Sequence, residues 1–389
     1  MNDRRFVDER RVREFADASR RMEAERQYAP AIVDRLLKTT PRGDWQILPG
    51  VRELQSYGAV RHLSALFTEQ LTKDPAYAHA IAELAVSVAE AIPDDAYPRV
   101  IVSQIRGYAW KDLGKSFRYL GRNQESEKVL RHAEEKLGGR VALSHDLAVV
   151  RFNLAVTLQE LERFDESRTL LAECKSIFRQ HGDQRNTILA SFAQGALLQN
   201  MGHFREAREA YLLIVATTPD LDDEQLAALN NAIGLCSIEL EEWDTAADAF
   251  TYATTLFSEL DQPINALNVE AGRGRMYIRA GQYSLGIAHL RPIRRQFLSS
   301  GLHEEAGLVG LEIVEGLIEQ QRHSAAESLA GKVVSEFELA GLNKRAVEAL
   351  TFLTKILQSK TASAKNVRDI RQYIVSLRTN PERDFRLTA

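Results

Sequence analysis

Apolar residues along this chain recur at helical spacing, and inside that pattern a small residue returns about every forty positions. Gly114, Ala155, Gly195, Gly234 and Gly274 are separated by 41, 40, 39 and 40 residues. A second series, Ser126, Ser167, Ala207, Ala246, Gly286 and Ala326, keeps step at 41, 40, 39, 40 and 40. From Trp110 the apolar or small positions are Leu113, Gly114, Phe117 and Leu120, then Ser126, Leu130 and Ala133 after a break at Gly121. Two helices joined by a short turn follow from that spacing. Small residues on both helices let the backbones approach at a crossing, and the large apolar residues fill the space around it. A fixed period of this length predicts stacked helical hairpins, because one hairpin cannot bury its apolar face alone.

The motif Trp110-x2-Leu113-Gly114-x2-Phe117, followed by Ser126, Leu130 and Ala133, resembles the tetratricopeptide repeat. The likeness recurs through Leu154, Ala155 and Ser167, through Gly195, Ala207 and Tyr211, through Gly234, Ala246 and Phe250, and through Gly274, Gly286 and Leu290. A sixth unit keeps Ile313, Leu317, Ala326 and Ala330 but has Val314 where a small residue belongs, which leaves its packing distance open. The period near 40 is longer than the family's basic one, in the manner of bacterial regulatory and signal-receptor proteins and kinesin light chains. The resemblance implies an all-α, right-handed superhelical solenoid over residues 57–345. Residues 1–56 would form a helical segment or cap, and 346–389 a degenerate last repeat with a capping helix and tail. Residues 1–26 read as a solvated helix or a loose charged arm, and AIVDRLL as a short separate helix.

The remaining composition narrows the function. Lys plus Arg is 50 against 54 Asp plus Glu, a net charge of −4, which supplies no overall basic field for nucleic acid. The two cysteines, Cys174 and Cys236, fall in helix interiors without ligand spacing, so neither a disulfide framework nor a metal site is expected and a reducing cytoplasm is inferred. The first residues are charged throughout and no run is long and apolar enough for a membrane span. Phosphate loops, nucleophile elbows and zinc-protease motifs are lacking. His145, His181 and His203 fall at turns or a helix start, as surface histidines do. The expectation is a non-enzyme without cofactor.

What remains is the surface of the first helix of each unit that packing does not use. The resemblance implies that these surfaces line a concave groove for an extended or helical peptide. The candidate binding residues are Lys111, Lys115 and Arg118 in the first unit, Asn153 in the second, Gln199 and Asn200 in the third, Asn231 in the fourth, and Asn268, Arg275 and Arg279 in the fifth. Amides can bond a peptide backbone while arginine grips a carboxylate through two parallel bonds, so an acidic or C-terminal segment of a protein is the expected partner. Such a protein would be an adaptor or sensor. Two other readings are a regulatory partner of a transcription or sigma-type factor that answers a signal peptide, and a homo-oligomeric scaffold.

Overall fold

The computed structural model describes residues 9–71, 73–138, 143–339, 343–377, 383 and 385. Residues 1–8 of the charged arm lie outside them. Every regular element among the described residues is helical. The chain divides into two compact units, Met1–Ala190 and Ser191–Ala389.

In the first unit α1 (Glu9–Thr39) and two short 3-10 turns lead into α2 (Tyr57–Gln70) and α3 (Pro75–Ala91). Two regular hairpins follow, α4 (Arg99–Tyr119) with α5 (Asn123–Leu137), and α6 (Ser144–Glu160) with α7 (Phe164–Gln180). Residues 9–26 of the charged arm and the AIVDRLL segment are one 31-residue helix rather than two elements. Its anchor is Glu25, 1% exposed, which accepts hydrogen bonds from the Tyr97 hydroxyl at 2.6 Å and from Arg21 Nε at 2.9 Å. Gly58 lets α1 approach this closely, since a Cβ there would stand 2.5 Å from the Glu25 carbonyl oxygen.

The boundary falls within α8 (Gln184–Asn200). The second unit continues with α9 (Phe204–Thr217), α10 (Asp223–Glu239), α11 (Trp243–Glu259), α12 (Pro263–Arg279) and α13 (Tyr283–Ser299). It is completed by α14 (His303–Glu319), α15 (His323–Leu339), α16 (Lys344–Gln358) and α17 (Ala364–Leu377).

The small residues sit at the crossings as their spacing predicts. A Cβ added to Gly114 would lie 2.6 Å from Leu130 Cγ, one on Gly195 would lie 2.5 Å from Tyr211 Cε1, and one on Gly234 would lie 2.6 Å from Phe250 Cε1. Where the second small residue is serine, its buried hydroxyl is satisfied by the facing helix: Ser126 Oγ donates to the Gly114 carbonyl and Ser167 Oγ to the Ala155 carbonyl, both at 2.8 Å. The hairpin so gains a polar link at its narrowest point without an orphaned group.

The sixth unit buries the valine at its crossing. Val314 is 0% exposed, and the residue that faces it by register is Ala330, also 0%, where earlier hairpins place Leu130, Tyr211, Phe250 or Leu290. Bulk and smallness have changed sides, which conserves the volume at the crossing. Close approach is also taken up by Gly310, where a Cβ would stand 2.7 Å from Val333 Cγ2.

Turns within hairpins share one geometry. Gly121, Glu162, Gly202, Glu241, Gly281 and Gln321 all have positive φ, between 58° and 80°. The next N–H then reaches back five residues, as Arg122 does to Phe117 O and Glu242 to Ser237 O at 2.9 Å, closing the first helix in a Schellman motif.

Candidate functional site

The first-helix surfaces must be read within each unit. In the first, α4 packs beside α2 on one side and α6 on the other. Its free face carries Lys111, Lys115 and Arg118 at i, i+4 and i+7, one stripe of the helix. Lys111 pairs with Asp112 Oδ1 at 2.8 Å and lies 4.8 Å from the Tyr108 ring. Asp112, 3% exposed, also accepts from Ser64 Oγ. Lys115 has no carboxylate partner among the described residues and lies 6.0 Å from the centre of the Tyr119 ring. Burial first, then the positive charges of Lys111 and Arg118, push its ammonium below the ordinary lysine pKa. Arg118 is likewise held down by burial; its guanidinium sits 5.1 Å from the same ring, and its Nε–H is buried without a hydrogen-bond partner. The stripe is thus a set of half-buried cations in which Lys111 alone has a carboxylate in contact.

Sequence reading missed what lies beside it. Tyr108, one turn before Lys111, is pushed upward by burial and by Asp146 on α6. Gln104 Nε2 holds the same Asp146 at 2.8 Å. Asn153, on α6, uses its amide N–H on its own helix, donating to Val149 O at 2.9 Å.

The second unit treats its cations differently. Arg275 Nε lies 2.7 Å from Glu312 Oε1 on α14, and Arg371 Nη2 of α17 reaches the same oxygen at 2.8 Å. Arg368 holds Glu315 at 2.6 Å, yet burial still leaves that carboxyl above the ordinary glutamate range. Arg279 pairs more loosely with Glu239 at 3.4 Å. These contacts exist because α17 packs directly on α14, as α6 does on α4 and α14 on α12. Residues 306–318 of α14 are consequently buried without interruption. Both arginines proposed for a carboxylate clamp therefore already grip carboxylates of the protein itself.

The amides of this unit are dispersed. Gln199 Oε1 accepts from the Tyr211 hydroxyl at 3.3 Å, whereas Asn200 and Asn268 are exposed. Asn231 Oδ1 is buried with no hydrogen-bond partner, an acceptor left for an incoming N–H. His145 and His181 face each other with ring centres 5.4 Å apart; His145 Nε2 contacts Asp183 at 2.7 Å and His181 Nε2 the Ser144 hydroxyl at 3.0 Å. Among the described residues no group of three or more His, Cys, Asp or Glu is placed to hold a metal ion, and no helix is long and apolar enough to cross a membrane.

Residues 146–217, which span α6 to α9, match the family described as tetratricopeptide repeat. The chain is a repeat protein of the tetratricopeptide type. It is 27% identical over 168 residues to the Drosophila melanogaster tetratricopeptide repeat protein 19 homolog, mitochondrial, a match covering 42% of this chain and only 42% of that protein's length. In fold it is similar to aspartyl phosphate phosphatase F from Bacillus subtilis, with a TM-score of 0.55 and 12% identity over 71% of this chain and 70% of that one. A Rap protein complexed with competence and sporulation factor aligns with a TM-score of 0.50 and 13% identity, over 82% of this chain and 99% of the other.

Proposed function

We propose that this protein is a non-catalytic adaptor that binds an acidic segment of another protein on the α4 face of its first unit. The carrying observation is the contrast between the two sets of cations. Arg275 and Arg279 are matched by Glu312 and Glu239, while Lys115 has no carboxylate in contact and Arg118 keeps a buried N–H without a partner. Asp112 and Glu160 act on Lys115 and Arg118 only from a distance, too weakly to offset burial, and half-buried cations so weakly compensated favour an anionic ligand. Lys111, Lys115, Arg118 and the nearby amide of Asn153 would receive carboxylates and backbone groups of the segment, with Tyr119 as a flat apolar wall. Gln199, Asn200, Asn231 and Asn268 belong to the second unit and are not assigned to this face; there the orphan oxygen of Asn231 is a separate acceptor. The Rap protein in complex with competence and sporulation factor supports an interaction role for this fold.

The test is fluorescence anisotropy with a labelled oligoglutamate peptide, and an oligolysine peptide as control. Wild type binds the acidic peptide only, more weakly as salt rises, and Lys115→Glu costs about 2–5 kcal/mol of binding. Lys115→Met also loses affinity but keeps or gains thermal stability, because it removes a desolvated charge. Oligoglutamate binding that is indifferent to Lys115→Glu and Arg118→Glu refutes the reading.

A further inference from the structure

In the second unit α13, α14 and α15 border an open hollow of about 400 Å³. Its floor is apolar: Ile313 and Leu317 of α14, each 2% exposed, with Leu329 of α15 beside them. Its rim is cationic: Arg291 and Arg295 of α13, and Lys332 of α15. All three rim side chains are exposed, and none contacts a carboxylate among the described residues. Arg291 and Arg295 are like charges at i, i+4, a mildly unfavourable arrangement. That spacing carries opposite charges at Arg131 with Glu127 and Lys73 with Glu69, and like charges again at Lys111 with Lys115 and Arg275 with Arg279. Beneath the rim Arg294 is 12% exposed and tied to Glu336 at 2.6 Å, but its Nε–H is buried without a hydrogen-bond partner. It lies across the bare backbone of Gly310, where a Cβ would stand 3.1 Å from Nε.

We propose that this hollow binds a small amphipathic anion, a carboxylate or phosphate head on a short apolar tail. The head sits among Arg291, Arg295 and Lys332, and the tail covers the half-buried Ala325 and Leu329, which lie beside the buried Ile313 and Leu317. Neither half of the site suffices alone. A bare inorganic anion leaves Ala325 and Leu329 in water, and a neutral apolar molecule leaves the rim charges facing one another. The volume is that of a small-molecule pocket, and the few polar groups at its mouth set orientation while apolar contact supplies affinity.

The experiment is calorimetric titration of the full chain with octanoate, with acetate as a head without a tail and octylammonium as a tail with the opposite charge. Octanoate binds saturably, the two controls do not, and either Arg295→Glu or Lys332→Glu weakens octanoate by at least about tenfold. Both substitutions are at exposed side chains, and unchanged helical circular dichroism reports the intact fold. Flotation with phosphatidylglycerol vesicles separates the sources of the head. Flotation lost in the same variants assigns it to a lipid, and octanoate binding without flotation assigns it to a free ligand. The proposal fails if octanoate does not saturate, if octylammonium binds as well, or if the folded variants bind octanoate like wild type.

Discussion

Adding one methyl group at Gly234 tests whether the repeat is built on close helix crossings. Replacing a helical glycine by alanine ordinarily stabilises by about 1 kcal/mol. Here the new Cβ would stand 2.6 Å from Phe250 Cε1, 2.8 Å from Cδ1 and 2.9 Å from Cζ. Relaxed carbon contacts need about 3.5–4.0 Å, so ring or helix must move by about 1 Å. Phe250 cannot retreat, because the Cβ direction of Gly272 on α12 points at the same ring from 3.2 Å, and the side chain is 0% exposed. Overpacking of this kind costs about 1–3 kcal/mol, and the upper half applies where the neighbour is pinned on both sides. Net of the helix gain, Gly234→Ala should lose about 1–2 kcal/mol. Gly331, inside α15 with nothing within 4 Å of its Cβ direction, is the control and should gain up to about 1 kcal/mol as alanine. Urea unfolding followed by circular dichroism, with hydrogen exchange over α10 to α12, reads both. Two stabilised variants would refute the crossing argument.

Three further outcomes follow. Arg275→Glu should destabilise the protein by about 3 kcal/mol or more in a thermal melt, since Glu312, 2% exposed, would face a like charge; an unchanged midpoint would show the pair to be idle. Glu241→Gly should stabilise by about 0.5–1 kcal/mol, the relief of left-handed strain at φ 60° less the added freedom of the unfolded chain, and a loss would mean the Glu241 side chain is itself needed. Burial raises the Cys174 thiol from 9.0 to about 12, so the native protein keeps a proton that the unfolded chain releases. Its contribution is complete below pH 9 and is lost as pH rises towards 12, and below that window Cys174 should react with a thiol reagent only after unfolding; prompt native labelling would contradict its burial.

The period was legible because each hairpin must present its crossing in the same register, and glycine, alanine and serine record it. Turns were legible only in part. Gly121 announces a break, but Glu162, Glu241 and Gln321 adopt the same left-handed conformation with no glycine to mark it, so position in the repeat decides where residue preference does not. Val314 looked like a defect because the compensation is on another helix, at Ala330. The candidate cations show the same limit. Arg275 and Lys115 occupy one slot after their crossing glycines, and what distinguishes them is the residue two before the crossing of the next hairpin, Glu312 in one case and Asn153 in the other. That comparison was available in the sequence once the slots were aligned. The return of α17 onto α14 was not, because the last helices carry too little of the repeat to say which face they cover.

The narrow crossings also have a mechanical meaning. A ring or leucine seated over a bare backbone acts as a pin between the two arms of a hairpin, and sliding one arm along the other would drive that side chain into the next turn. Each hairpin therefore resists shear within itself and transmits load as a stiff lever. Under tension it should yield as a whole once its pin is lost, releasing slack in lengths of about forty residues, the repeat period itself.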